Sequence, residues 1–375
     1  MVIVTTAISG TGEKEYLERF AKYAKTRGKK IKIFNVGEMI LALAKLSRSK
    51  VNPNNILNMR SDTMWALRKG VFESILRETP NLTKDGYSIV VNIHGIFYWK
   101  YRYKKSIDYS DISQLNPDIY VNFLNNSDIV AQNMRCQPKW NFLFRNRPSD
   151  YTLERIMEWQ TAEIEIVDTV ATFSGKKLFI VPAGGNESIL FRFMFERSWR
   201  KIFYLSMPLT LLQGAENVIA REEVNSFAKW LERYVLLIDP RYVEPLKVSQ
   251  LTTDHQNKAV QHNVVGRDLE LLIPQCDGVI GFYPKEVASY GENGERTEMH
   301  QLAGDTFLIY PKKDFLSPFF TEWAWFSQRD EPFLSKEEFC DWFLNKYLGE
   351  EYLRKVEESE KLYNTENNGG EDAAK

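Results

Sequence analysis

The stretch that decides the fold is Met1-Val2-Ile3-Val4-Thr5-Thr6-Ala7-Ile8-Ser9-Gly10-Thr11-Gly12-Glu13-Lys14-Glu15. A β-branched run over residues 1–6 breaks into a Ser-Gly-Thr-Gly turn. A buried strand entering a tight turn reads this way. From Glu15 to Arg27 the side chains of Tyr16, Leu17, Phe20 and Tyr23 recur at helical spacing, and Gly28 stops the helix. Lys30 to Val36 is the next strand. Strand, glycine turn, helix and strand in succession make a βαβ unit, so a parallel sheet is expected.

The alternation continues outward from that unit. Ser61 to Glu78 is helical, Tyr87 to Asn92 is a strand ending at His94, and Asn116-Pro117-Asp118 leads into the strand Ile119 to Phe123. A long helix over Leu153 to Thr172 and a strand over Lys177 to Val181 complete the first series. Pro182-Ala183-Gly184-Gly185-Asn186 is a loop signal. A second series follows Phe191 to Trp199. Its strands fall at Lys201–Ser206, Tyr234–Asp239, Gly278–Tyr283 and Thr306–Tyr310, with helices over 216–233, 266–275 and 295–303. The expected fold class is α/β, with two parallel-sheet αβα domains. Residues 1–183 form the first, 184–199 a linker, and 200–350 the second. The tail from 351, charged and then Asn/Gly-rich, is expected to lack fixed structure.

Composition narrows the class of function. Lys+Arg is 49 and Asp+Glu is 50, a net charge of −1, so no basic excess points to nucleic acid or to a membrane surface. Cys136, Cys276 and Cys340 are distant and odd in number. That argues against a disulfide framework and for a reducing, cytoplasmic setting. His94, His255, His262 and His300 show no metal-ligand spacing, and no metal is expected. No apolar run reaches roughly 18 residues, and the first residues do not read as a signal peptide. Aromatics reach 13%, enough to fill large cores or to build flat pockets for rings.

The turn at Thr6 to Lys14 has the layout of an anion cradle, in which backbone N–H groups and a helix dipole face a phosphate. Ser9, Gly10, Thr11, Gly12 and Lys14 are the candidate phosphate-binding residues. Against the pattern Gly-x-x-x-x-Gly-Lys-[Ser/Thr], Ala7 replaces the first glycine, Glu13 stands at the lysine and Lys14 at the hydroxyl position. The loop is therefore expected to bind a nucleotide, ATP or another, weakly and without Mg²⁺. A ligand-free βα turn is the plain alternative.

Residues 1–183 resemble archaeal-type adenylate kinases. Val90-Val91-Asn92-Ile93-His94-Gly95 resembles that family's strand ending in Asp-Thr-His, and Leu115-Asn116-Pro117-Asp118-Ile119 its Leu-Asn-Pro-Asp strand entry. Arg145-Asn146-Arg147-Pro148 before the helix at Leu153 resembles its arginine-bearing lid. The resemblance implies a nucleoside-monophosphate-kinase-like fold and phosphate contacts from Arg145 and Arg147. Asn92 for the acidic residue and Glu13 for the phosphate lysine speak against kinase activity.

The second half carries polar residues near expected strand ends, where open α/β sheets bind ligands. Tyr204 to Pro208, Asp268, Asp277, the glycine stretch Ser289 to Glu298, and Gly304-Asp305-Thr306-Phe307 fall in that order. The set resembles nucleoside 2-deoxyribosyltransferases, with Cys276 and Asp305 as departures from the family's Ser and Lys. The resemblance implies cleavage or transfer at the N-glycosidic bond of a nucleoside or nucleotide. It makes Glu298 the nucleophile, Asp268 and Asp277 the groups for base protonation and hydroxyl orientation, and Tyr204 the residue that holds the nucleophile. A carboxylate beneath the anomeric carbon can trap an oxocarbenium-like centre as a glycosyl-enzyme, which gives these residue types their chemistry. The resemblance further implies a homo-oligomer, for which Phe315 to Phe326 is the expected apolar surface. Two other readings stay open: a non-catalytic nucleotide-sensing or scaffold protein, and a surviving phosphotransferase that uses Lys14.

Overall fold

The computed structural model describes residues 1–47, 50–208, 217–244, 254–287, 289–311 and 332–368. The chain divides into two compact units. One comprises Met1–Glu187 with Val243–Asn263, and the other Ser188–Tyr242 with the chain from Val264 onward. Both are α/β, with parallel sheets flanked by helices.

The first unit carries strands β1 (Val2–Thr6), β2 (Lys30–Asn35), β3 (Tyr87–Ile93), β4 (Ile96–Trp99), β5 (Arg102–Lys105), β6 (Ile119–Leu124) and β7 (Leu178–Pro182). Its helices are α1 (Glu13–Thr26), α2 (Val36–Leu46), α3 (Ser61–Lys84), α4 (Tyr109–Leu115), α5 (Ser127–Cys136), α6 (Pro138–Asn146) and α7 (Leu153–Phe173). The main sheet runs β2-β3-β1-β6-β7, every pair parallel. This places the turn after β1 at the carboxyl edge of the sheet's centre. The strands expected from β-branched runs are all present. The antiparallel ribbon β4–β5 was not expected. It turns through Lys100 and Tyr101, both at positive φ, and no Gly or Asn marks it.

Two apolar clusters hold this unit. One packs β1, β2 and β3 against α3 and α7 through Val4, Phe34, Phe72, Ile75, Val91 and Val167. The other is aromatic: Trp140 meets Trp99 at 5.4 Å and Trp159 at 5.7 Å, with Tyr98 and Tyr151 around them. Much of the chain's aromatic content thus fills core. Each fully buried ring contributes about 1.5–3 kcal/mol over exposure.

The second unit carries α8 (Ser188–Phe195), β8 (Ile202–Ser206), α9 (Val218–Tyr234), β9 (Leu236–Ile238), β10 (Gly278–Phe282), α11 (Tyr290–Gln301) and β11 (Asp305–Ile309). Helix α10 (Asp254–Arg267) passes from one unit into the other. The sheet runs β11-β10-β8-β9, all parallel, and Phe333 extends it by a parallel bridge to Ile309. Phe203, Phe227, Phe282, Phe307, Phe339 and Phe343 form its core.

Several expectations need correction. The linker at 184–199 contains α8, whose Ile189, Leu190, Phe191, Phe193 and Met194 are buried. The polar stretch that carries His255 and His262 is helical from Asp254. Residues 266–275 finish that helix and then wind as a π-turn (Asp268–Leu272) and a 3₁₀-turn (Ile273–Gln275). The tail from 351 is helical as far as Asn368, in a helix Gly349–Asn368, and 369–375 lie outside the described residues. That helix is anchored: Val356 is buried, Tyr352 Oη donates to the Tyr234 carbonyl at 2.8 Å, and Arg233 grips Glu360 with two bonds of 2.9 and 3.0 Å. Phe315–Phe326 lies outside the described residues. Among the described residues no helix is long and apolar enough to cross a membrane.

Candidate functional site

The glycine turn is shaped by its backbone. Gly10 and Gly12 take φ of +91° and +87°, a region that disfavours side chains. A Cβ at Gly10 would meet Met134 Cγ at 2.6 Å and the Val130 carbonyl at 2.8 Å, so the loop lies tight on α5. Asn133 Nδ2 donates to the Gly10 carbonyl at 2.9 Å and Asn125 Nδ2 to the Thr11 carbonyl at 2.8 Å. With its carbonyls fixed, the loop borders a cleft of about 650 Å³ lined by Ser9 to Glu15, His94, Asn133 and Lys139. A smaller, more apolar hollow of about 240 Å³ opens beside it toward Val36, Ile40 and Phe97. Glu13, Lys14, His94 and Lys139 line both.

Glu13 dominates the electrostatics. Its side chain lines both hollows at the amino end of α1. Burial pushes its pKa up to about 7, since the low dielectric penalises the charged form. Lys14 pairs with Glu38 at 2.5 Å on the surface. His94 donates from Nδ1 to the Ala7 carbonyl at 2.5 Å, which leaves Nε2 as a lone pair. Burial pushes its pKa down to about 4, and the nearby Lys139 charge adds to that. Behind it, the fully buried Glu163 of α7 accepts the Gly95 and Ile96 N–H groups at 2.6 and 2.7 Å. Gly95 must be glycine there, because a Cβ would stand 3.2 Å from Glu163 Cδ and 2.9 Å from Ile166 Cγ2.

Arg145 and Arg147, the expected phosphate donors, line neither hollow. Arg145 is exposed, and the Arg147 guanidinium lies 4.8 Å over the Tyr101 ring. The cations that line the cleft are Lys14, Arg19 and, on the first turn of α6, Lys139. Sequence reading passed it over because α6 itself was not expected. Pro138 at the first helical position was the available signal.

In the second unit, β8 presents Tyr204 and Ser206 on one face by strand alternation. Tyr204 Oη donates to Glu295 Oε1 at 3.1 Å, and Ser206 Oγ donates to Glu295 Oε2. The carboxylate facing the carboxyl end of β8 is therefore Glu295, not Glu298. Helix α11 begins at Tyr290 with Ser289 as its N-cap, earlier than the expected 295. The buried side chains Glu292, Arg296 and Met299 then set the inward face. Glu292 forms a buried ion pair with Arg296 and accepts the Tyr283 hydroxyl at 2.7 Å, bracing the helix against the sheet.

Asp277 lies at the other end of the strands, just before Gly278, which pairs with Phe203 near the start of β8. Its Oδ2 accepts the Ile202 N–H at 2.7 Å and its Oδ1 meets Arg197 at 3.4 Å. The structure does not bring it to Glu295. Asp268 is buried at the start of the π-turn and ion-paired with Arg267 at 3.1 Å. No protein-family model matches the chain, and no curated protein matches it.

Proposed function

We propose that the second unit cleaves or transfers at the N-glycosidic bond of a nucleoside or nucleotide, with Glu295 as the nucleophile. The observation that carries this reading is the Glu295 carboxylate, held by Tyr204 and Ser206 at the carboxyl end of β8. There the sheet order reverses, since β9 and β10 flank β8 on opposite sides. Crevices at such reversals are where open α/β sheets take ligands. The two hydroxyl donors fix the plane of the carboxylate that would meet the anomeric carbon. Attack forms a glycosyl-ester and releases the base; water then yields the free sugar, or a second base yields a new nucleoside. Asp268, ion-paired with Arg267, suits acceptance of a sugar hydroxyl rather than proton donation.

The rival class, a non-catalytic nucleotide-sensing or scaffold protein, draws support from the first unit, where Glu13 stands at the position of the phosphate lysine and lines the cleft. A phosphotransferase that uses Lys14 is disfavoured by the pairing of Lys14 with Glu38. Incubation with a panel of nucleosides and nucleotides, with free base followed by chromatography, separates these readings. Base release by the wild type that is lost in Glu295→Gln supports glycosyl transfer. Its absence across the panel removes that reading.

A further inference from the structure

We propose that the β4–β5 ribbon of the first unit binds single-stranded nucleic acid, with bases stacked on Tyr101 and Tyr103 and phosphates paired with Lys100, Arg102, Lys104 and Lys105. The inference is independent of the role of Glu295.

The ribbon concentrates positive charge that the whole chain's net charge of −1 conceals. From Tyr87 to Ile107 there is no Asp or Glu, and residues 100–105 read Lys-Tyr-Arg-Tyr-Lys-Lys, all exposed. Among the described residues none of the four cations is in an ion pair. Lys100 Nζ donates to Asn58 Oδ1 at 2.8 Å and Lys104 Nζ to the Leu57 carbonyl at 2.6 Å, neutral partners that leave both charges uncompensated. Glu158, whose charge reaches Tyr103, is itself paired with Arg155 at 2.5 Å.

Charge alone has a plainer use, since lysines on the edge of a small sheet keep it from pairing with other edges. Exposed tyrosines do not serve that purpose, yet Tyr101 is 62% exposed and Tyr103 41%. The fold also holds Tyr101 out. Lys100 and Tyr101 turn the ribbon at φ of +51° and +65°, a left-handed pair that bulky residues rarely adopt. Asn58 pins the turn, its Oδ1 accepting Trp99 Nε1 at 3.1 Å as well as Lys100 Nζ. The Arg147 guanidinium lies 4.8 Å from the centre of the Tyr101 ring. An exposed ring backed by a guanidinium is a platform on which a base can stack.

Beside the ribbon lies a hollow of about 200 Å³, lined among others by Met59, Met64, Arg68, Phe97, Lys104 and Lys105. An apolar lining with three cations suits a base together with its phosphate. Stacking needs unpaired bases, whereas a duplex offers this surface only its phosphates, so a single strand is the better partner.

Fluorescence anisotropy with labelled oligothymidylate and oligouridylate of about 12 nucleotides tests this, beside a duplex of the same length, poly-glutamate and phosphatidylserine vesicles. Thermal melts confirm that each variant folds. Single strands should bind with a Kd of about 10 μM or tighter at about 50 mM salt, and log affinity should fall with log salt at a slope of about −2.8 for four phosphate contacts. Binding of DNA, RNA or both supports the proposal. Replacing two cations together, Arg102→Gln with Lys105→Gln, should bring the slope to about −1.4. Tyr101→Asn, a change the left-handed turn tolerates, should weaken binding about tenfold at unchanged slope, while Tyr101→Phe stays near wild type. Lys177→Gln, just before β7 at the amino edge of the main sheet, should change nothing. Absence of single-strand binding overturns the proposal, as does duplex, poly-glutamate or vesicle binding as tight as that of single strands. So does a folded Tyr101→Asn with wild-type affinity, a double variant that keeps the wild-type slope, or an equal loss in Lys177→Gln.

Discussion

Tyr204, fully buried in β8, donates its hydroxyl to Glu295 Oε1 across 3.1 Å, linking the sheet to α11 through a carboxylate. A hydroxyl that holds a carboxylate at one angle costs nothing to reorganise when that carboxylate reacts. The proposed glycosyl transfer rests on this pairing.

Tyr204→Phe keeps the ring and removes the donor. A hydrogen bond to a charged group is worth about 1.5–3 kcal/mol, so base release should slow by roughly 10- to 100-fold. Substrate affinity should change little. Steady-state rates of free-base formation measure the split between kcat and KM. Equal loss in both parameters would mean that Tyr204 binds substrate instead of positioning Glu295.

Asp277 is expected to act on stability. Asp277→Ala orphans the Ile202 N–H and releases Arg197, costing about 1–2 kcal/mol. Urea unfolding should show that loss, while base release by the folded variant stays near wild type. A large loss of turnover at unchanged stability would return Asp277 to the reaction.

Glu163 gives the first unit a pH dependence of known sign. Burial raises its carboxyl to about 8 from an ordinary 4.5 in the unfolded chain. Between those values the folded state binds the proton and the unfolded state does not, so the group's contribution is full below about pH 4.5 and lost by about pH 8. Glu163→Gln removes that slope. The stability gap, wild type minus variant, should therefore shrink as pH rises from 5 to 8 in denaturant titrations. A gap that widens would show that the Gly95 and Ile96 N–H groups outweigh burial.

Gly281→Ala would drive its Cβ into Glu292 Oε1, with Arg296 Cδ 3.4 Å away. Breaking that buried pair should cost about 3 kcal/mol or more in urea unfolding. A loss under about 0.5 kcal/mol would mean that α11 can lift off the sheet freely.

The parallel strands were legible because buried strands are short β-branched runs between turn signals, and both series obey that rule. The site register was less legible. Gly291 and Gly294 put the expected helix start at 295, yet a Cβ at either would meet nothing within 4 Å. Glycines on an open helix face cost about 1 kcal/mol each and need not end the helix. Starting α11 at Tyr290 brings Glu295 to Tyr204 and leaves Glu298 a turn beyond. The inward spacing of Glu292, Arg296 and Met299 was the signal for it. Lys139 reaches the cleft from α6, whose place beside the loop is a tertiary fact that no local pattern records.

The most direct test of Glu295 is the intact mass of the protein, quenched during turnover of whichever nucleoside releases base. The account predicts a sugar-sized adduct that maps to the peptide bearing Glu295, persists in Glu298→Gln and is absent from Glu295→Gln. An adduct retained in Glu295→Gln, or base release by that variant at the wild-type rate, would contradict it.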